Sequence, residues 1–181
     1  SFQIIGRVED VGGEINAYTS KEETFIYSSF LNQYFNRTVE LLSDIFFNSI
    51  FPDKEIQKEI DVIIDEINSY KDSPSELIYD EFEEMIFKNN SIGRQILGEP
   101  KKLKNFSKTE ILNFIKKKYN TDEIVFCSNG NFPFTKVKKC FEKYFYDIPQ
   151  NLRNFSRNSY GNYLPEKRIE IKDTYQTHNI I

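Results

Sequence analysis

Two carboxylates stand out for their spacing. Glu59 and Glu66 are seven residues apart, which on a helix sets them roughly 20° apart around the axis and about 10 Å apart along it. Ile56, Ile60, Ile63 and Ile67 give that helix its apolar stripe, and Val62 falls on the other side of the two acids. The pair therefore projects from the edge of a buried face, whereas Asp61 and Asp65 point to the solvated back. An acid among apolar neighbours is costly unless a cation or hydrogen bonds offset it. Two readings are open at this point: a metal-binding or catalytic pair, or rim acids paired with lysines.

The other reactive side chains are few. The 181 residues include one histidine (His178) and two cysteines, Cys127 and Cys140. A self-contained zinc site needs two or three histidines or cysteines, and a catalytic triad needs a histidine beside its nucleophile. Taken alone, the chain offers neither. The cysteines are too few and too far apart for a disulfide framework, and they read as inert core thiols. With 24 basic and 28 acidic residues the net charge is −4, which argues against a dedicated nucleic-acid binder. The lysine runs at 101–104 and 116–118 read as solvated charge. No apolar run is long enough for a membrane span, and no signal peptide opens the chain. Compartment stays unassigned.

The elements that must position these groups can be read in order. Phe2 to Val11 has helical periodicity and stops at Gly12-Gly13. A helix that starts at the first residue without a cap is expected of a chain cut within a larger protein. Residues 14–20 and 23–30 read as two strands around a Ser20-Lys21-Glu22 turn. A helix follows over 33–50, with Val39, Leu42, Ile45, Phe46 and Ser49 on one side, until Pro52 breaks it. The acid-bearing helix should start at an Asp53 cap and reach Tyr70, and another should cover 75–88. Ser107 with Glu110 forms a capping box for a helix carrying Ile111, Phe114, Ile115 and Tyr119. Residues 123–127 read as a buried strand, 133–145 as a helix, and 166–172 and 175–181 as further strands. The expected fold class is α+β, an antiparallel sheet flanked by helices. The expected division is a partial N-terminal domain over 1–150, a linker over 151–165, and the start of a second domain over 166–181.

Several segments together resemble the pitrilysin/insulinase family of zinc metallopeptidases. Gly12-Gly13-Glu14-Ile15-Asn16-Ala17-Tyr18-Thr19-Ser20-Lys21-Glu22-Glu23-Thr24 is similar to its "GG-x-x-NA-(aromatic)-T-x-x-E-x-T" segment. Glu59 to Glu66 followed by Asp72-Ser73-Pro74 resembles its "E-x-x-V-x-x-x-E…D-x-P" helix. Ile92 to Gly98 is similar to its "G-x-x-I-x-G" loop. These matches run in family order over roughly residues 1 to 150.

The resemblance implies an inverted zincin, in which an H-x-x-E-H helix supplies two histidine ligands and a general base. Zinc then polarises the scissile carbonyl and lowers the pKa of its bound water. Glu66 matches the third zinc ligand, a glutamate on a later helix. Glu59 matches a second acid, to which the resemblance gives an outer-shell role orienting a ligand or offsetting the metal charge. Asn16, Ala17, Tyr18 and Thr19 match the edge strand with which a substrate peptide pairs. Without the resemblance, an ordinary hairpin with a small residue in the pleat is the simpler reading of those four. His178 resembles part of the opening strand of the family's next domain, a structural role.

The chain departs from the pattern in one respect: it contains no H-x-x-E-H. By family spacing the second histidine would fall roughly ten residues before Ser1. The expectation is therefore a fragment of a zinc endopeptidase, with Zn2+ held by the parent protein and absent from this chain alone. Its partners would be a peptide substrate and a second homologous domain or subunit closing a chamber. Two alternatives are a non-catalytic family member acting as scaffold or recognition subunit, and an unrelated α+β interaction domain.

Overall fold

The computed structural model describes residues 2–157, 159–161, 163–173 and 175–181. The chain divides into two compact units, Ser1–Ile50 with Leu112–Asn154, and Phe51–Ile111 with Phe155–Ile181. Each has its own construction.

The first unit opens with α1 (Phe2–Glu9), which ends in a Schellman motif: Gly12 N–H donates to Glu9 O at 2.9 Å and Gly13 N–H to Val8 O at 3.0 Å. Gly12 takes φ +74°, the left-handed region where glycine is favoured. Gly13 is needed for a different reason. A Cβ there would lie 2.6 Å from Val8 Cγ1 and 2.9 Å from Ser29 O, so the turn can only close around glycine. The motif delivers the chain into β1 (Glu14–Thr19), which pairs antiparallel with β2 (Thr24–Ser29) from Glu14↔Ser29 to Thr19↔Thr24. The two-stranded sheet and the helices around it make the fold α+β.

A short 3-10 turn leads into α2 (Phe35–Phe47), which buries Phe35, Thr38, Val39, Leu41 and Ser43. Leu41, not Leu42, is buried, and Ser49 lies exposed beyond the helix, where its hydroxyl returns to Ile45 O at 2.6 Å. α2 packs against α7 (Phe134–Phe145), and Ser43 Oγ donates to Tyr144 O at 2.9 Å. The core joins Phe35, Val39 and Cys140 with flanking aromatics including Phe30, Phe126, Phe132 and Phe145. Each fully buried Phe or Val contributes about 1.5–3 kcal/mol, so this aromatic cluster is the main stabilising feature of the unit.

Residues 123–127 do not form the expected buried strand. Ile124 has extended dihedrals (φ −89°, ψ 128°) and the side chains alternate, Ile124 and Phe126 inward, Val125 and Cys127 outward. Among the described residues no neighbouring strand bonds to the segment, and Val125 is 82% exposed. An apolar run can be buried on one face or on two, and periodicity alone does not distinguish them. Cys127 is therefore exposed, and Cys140 alone is a core thiol.

The second unit is built on α3 (Asp53–Lys71) and α4 (Pro74–Ile86), with a 3-10 turn at Ser91–Gly93 and the short α5 (Pro100–Leu103). Pro52, not Asp53, holds the N-cap position of α3. Its carbonyl accepts from the N–H groups of Glu55 and Ile56, and Asp53 becomes the first helical residue, favourably placed at the positive end of the helix dipole. Ser107 and Glu110 make the expected capping box for α6 (Lys108–Lys118), whose C-terminal part belongs to the first unit. Phe114 of that helix is exposed rather than inward.

Tyr160 meets the end of α4, its hydroxyl donating to Ile86 O and its ring meeting Phe87 edge-on, and the Lys88–Glu166 and Lys172–Glu81 ion pairs add to the contact. Neither 166–172 nor 175–181 forms a strand; Ile169 and Ile171 are exposed and no ladder is present. Alternation supplies a face, but a strand also needs a bonding neighbour. Among the described residues no helix is long and apolar enough to cross a membrane.

Candidate functional site

The two groups of candidate residues lie in different units, the β1 residues in the first and the paired acids in the second. The β1–β2 hairpin has a two-residue loop tip, Lys21-Glu22, closed by Ser20 N–H donating to Glu23 O at 2.8 Å and Glu23 N–H to Ser20 Oγ at 3.2 Å. That bond fixes the parity of the ladder. Ser20 and Glu23 face each other as a bonded pair, so Tyr18/Phe25, Asn16/Tyr27 and Glu14/Ser29 are bonded pairs too. The intervening residues Ile15, Ala17 and Thr19 must then direct their N–H and C=O groups away from β2. Within the two-stranded sheet that outer side of β1 is an unpaired edge.

Side chains sort by the same parity. Ile15, Ala17, Ile26 and Ser28 share the face on which Ile15, Ile26 and Ser28 are partly covered. Asn16, Tyr18, Phe25 and Tyr27 share the exposed one. There Tyr18 stacks on Phe25 at 4.6 Å between centroids and meets Tyr27 edge-on at 6.2 Å. Such cross-strand aromatic pairs contribute roughly 0.2–1 kcal/mol each. Sequence reasoning singled out Tyr18 but passed over Phe25 and Tyr27; the register of a tightly closed hairpin was the signal that could have found them. Asn16 turns back on its own strand, where its Oδ1 accepts the N–H of Ala17 at 2.8 Å.

On α3 the apolar stripe is Ile56, Ile60 and Ile67, all buried, with Ile63 partly so. Glu59 and Glu66 follow the stripe at the expected seven-residue interval, but both carboxylates are exposed, as is Val62. Neither is engaged in a hydrogen bond or ion pair among the described residues, whereas Glu55 nearby is held by Lys58 at 2.9 Å. The lysine at Glu55 pulls its carboxyl below the usual range, through a hydrogen bond and by charge. The lysine-paired reading thus describes Glu55, not the two candidate acids.

No group of three His, Cys, Asp or Glu side chains that could hold a metal occurs among the described residues. One or two exposed carboxylates with no imidazole beside them do not match a zinc donor set. The residues of this chain do not by themselves fit the ion. His178, the single histidine, is partly buried in the stretch after residue 173 and belongs to no such group.

Comparison with known proteins gives these features a context. Residues 1–100 match the family described as insulinase (peptidase family M16), and residues 105–181 match the peptidase M16 inactive domain. A protein of Rickettsia felis named an uncharacterized zinc protease is 35% identical over 167 residues, covering 92% of this chain and 39% of its own. The mitochondrial-processing peptidase subunit beta of Saccharomyces cerevisiae is 33% identical over 144 residues, covering 80% of this chain and 31% of its own. In three dimensions, a solved peptidase M16 inactive domain from Pseudomonas fluorescens superposes with a TM-score of 0.77 at 12% identity, covering 88% of this chain and 39% of that one. That likeness is one of fold. The chain spans about two fifths of the length of the first curated relatives it matches. On these matches the chain belongs to the insulinase family of peptidases, family M16.

Proposed function

We propose that this chain is the part of a zinc-dependent endopeptidase that presents a substrate edge and one carboxylate ligand. In this reading the intact protein hydrolyses peptides held as an added strand against β1, with Ala17 at the point of pairing and Asn16, Tyr18 and Thr19 around it. Glu66 is the zinc ligand supplied by α3. Glu59, two turns earlier on the same edge of the helix, orients the ligand set or offsets its charge. The two imidazoles come from an H-x-x-E-H helix outside this sequence, and a second homologous domain or subunit closes the chamber around the peptide. Residues 1–150 are assigned to the peptidase domain, 151–165 to a linker and 166–181 to the start of the next domain.

The observation that carries the reading is the state of the two acids. Glu59 and Glu66 are set at helical register on one side of α3, exposed, and held by no described cation, unlike Glu55. Carboxylates left without a partner in this way are open to a metal, for which Glu oxygens are ordinary ligands. Family membership and the relatives named zinc proteases support the same conclusion. The second reading, a non-catalytic family member that recognises substrate or acts as a scaffold, draws on the match of residues 105–181 to a domain described as inactive.

The test is metal content and peptidase activity of the intact protein carrying Glu66→Gln. Loss of bound zinc together with activity is expected; retention of both would remove Glu66 from the site. An intact protein that neither binds zinc nor cleaves peptides before mutation would favour the non-catalytic reading.

A further inference from the structure

The bond from Ala17 to Asn16 occupies the amide that an added strand would need first. By the parity of the ladder, Ile15, Ala17 and Thr19 turn their backbone groups outward, with Ala17 at the centre of the three. Asn16 Oδ1 takes the Ala17 N–H at 2.8 Å. An unpaired strand edge invites uncontrolled pairing with other chains, and proteins blunt such edges with local devices. A side-chain oxygen that satisfies the central amide is such a device, because it offers the N–H the same acceptor chemistry as a peptide carbonyl.

We propose that Asn16 is a positioning residue that caps the β1 edge, and that a peptide docks by exchanging its own carbonyl for the Asn16 carboxamide on the Ala17 N–H. This rests on the reading of β1 as the peptide-pairing strand. The exchange conserves hydrogen bonds: one accepted by Asn16 is broken, one accepted by the peptide is formed, and the freed carboxamide turns to water. Its effect is selective. A segment that pairs over several residues recovers the cost of displacing the cap, whereas a brief single contact does not.

The composition supplies a clean probe. Ala17 is the only alanine in the chain, so 15N-alanine labelling isolates its amide as a single resonance. Hydrogen exchange at that resonance would be followed in the 181-residue chain, in Asn16→Val, which removes the acceptor, and in Asn16→Asp, which keeps it and removes the carboxamide donor. A blocked hexapeptide of alternating threonine and lysine would then be titrated against all three. Exchange ~2- to 10-fold faster in Asn16→Val, and not in Asn16→Asp, is expected from loss of one ordinary hydrogen bond. The hexapeptide should bind Asn16→Val tighter by a similar ~2- to 10-fold. Unchanged exchange in Asn16→Val would overturn the cap. A peptide that shifts the Ala17 resonance but binds Asn16→Val no tighter, or binds both variants more weakly, would overturn the exchange and leave the pairing edge standing. A peptide that leaves Ala17 unmoved in all three proteins would remove the pairing edge, and the proposal with it.

Discussion

α2 and α3 are both amphipathic helices, yet they invest their faces differently. α2 buries five of its thirteen residues, with Phe35 and Val39 in the aromatic core and Ser43 tied to the Tyr144 carbonyl. α3 buries three of its nineteen, all isoleucines, half-covers Ile63 and Ile64, and leaves its other residues to solvent. A helix that is mostly core has little freedom to carry chemistry, since each buried position is constrained by packing. A helix anchored by one narrow stripe can place acids on the neighbouring edge at little structural cost. The contrast teaches where to look: stability in α2 and its contacts, and the proposed metal ligand on α3.

The sharpest way to break this contrast is to truncate the core. Phe35→Ala removes the largest fully buried side chain and should destabilise the first unit by about 3–5 kcal/mol. Chemical denaturation followed by circular dichroism checks it, and a loss below 1 kcal/mol would mean that α2 is not the structural helix described. Next comes Gly13→Ala. The added methyl meets Val8 and the Ser29 carbonyl, and relieving that overlap should cost about 1–3 kcal/mol and disturb the entry into β1. Ser107→Ala, which removes one half of the capping box, should cost about 1 kcal/mol, read as a lowered denaturation midpoint.

A pH prediction follows from the core thiol. Burial pushes the Cys140 thiol above its ordinary value of 9.0, with Lys143 and Lys136 pulling it partly back, and burial likewise raises Tyr119 above 10.0. The native state therefore holds these protons more tightly than the unfolded chain does. Their contribution is fully present below pH 9 and is lost as pH rises through the folded values. The melting temperature should fall on going from pH 8 to pH 10, and less so in Cys140→Ala measured against its own pH 8 value. Under native conditions a thiol reagent should modify Cys127 quickly and Cys140 slowly, since the one is exposed and the other buried. Equal rates would contradict the placement of both.

The smallest effects on folding are expected on α3. Glu59→Gln and Glu66→Gln touch no described partner, and each should change stability by less than about 0.5 kcal/mol. A larger loss would mean that these acids hold the fold together, and the division between the two helices would fail.

Much of this was legible in the residues. The glycine pair after α1, the hairpin, the proline breaks and the Ser107–Glu110 box are local signals, and each appears within about three residues of its expected place. What was not legible depended on neighbours. Val125 and Cys127 read as buried because an apolar run carries no record of how many of its faces are covered. The stretches 166–172 and 175–181 alternate as strands do, but a ladder is made between segments, and no single segment encodes its partner. Leu41 is buried and Leu42 only half so, because how far round a helix its neighbours reach is a tertiary matter. At the candidate site, spacing sufficed to set Glu59 and Glu66 on one side of α3. It misjudged their surroundings, since both acids stand in the open instead of against apolar walls. The aromatic neighbours of Tyr18 needed the register, and the Asn16–Ala17 bond needed the atoms.

The central claim is that α3 supplies a metal ligand and not merely a solvated acid. It is tested most directly by zinc content and peptide hydrolysis of the intact protein with Glu66→Gln beside Asp65→Asn, a neighbouring exposed acid one position away. The account predicts zinc and activity lost in Glu66→Gln, both retained in Asp65→Asn, and equal stability in the two. Equal zinc content in both variants, with activity unchanged, would contradict it.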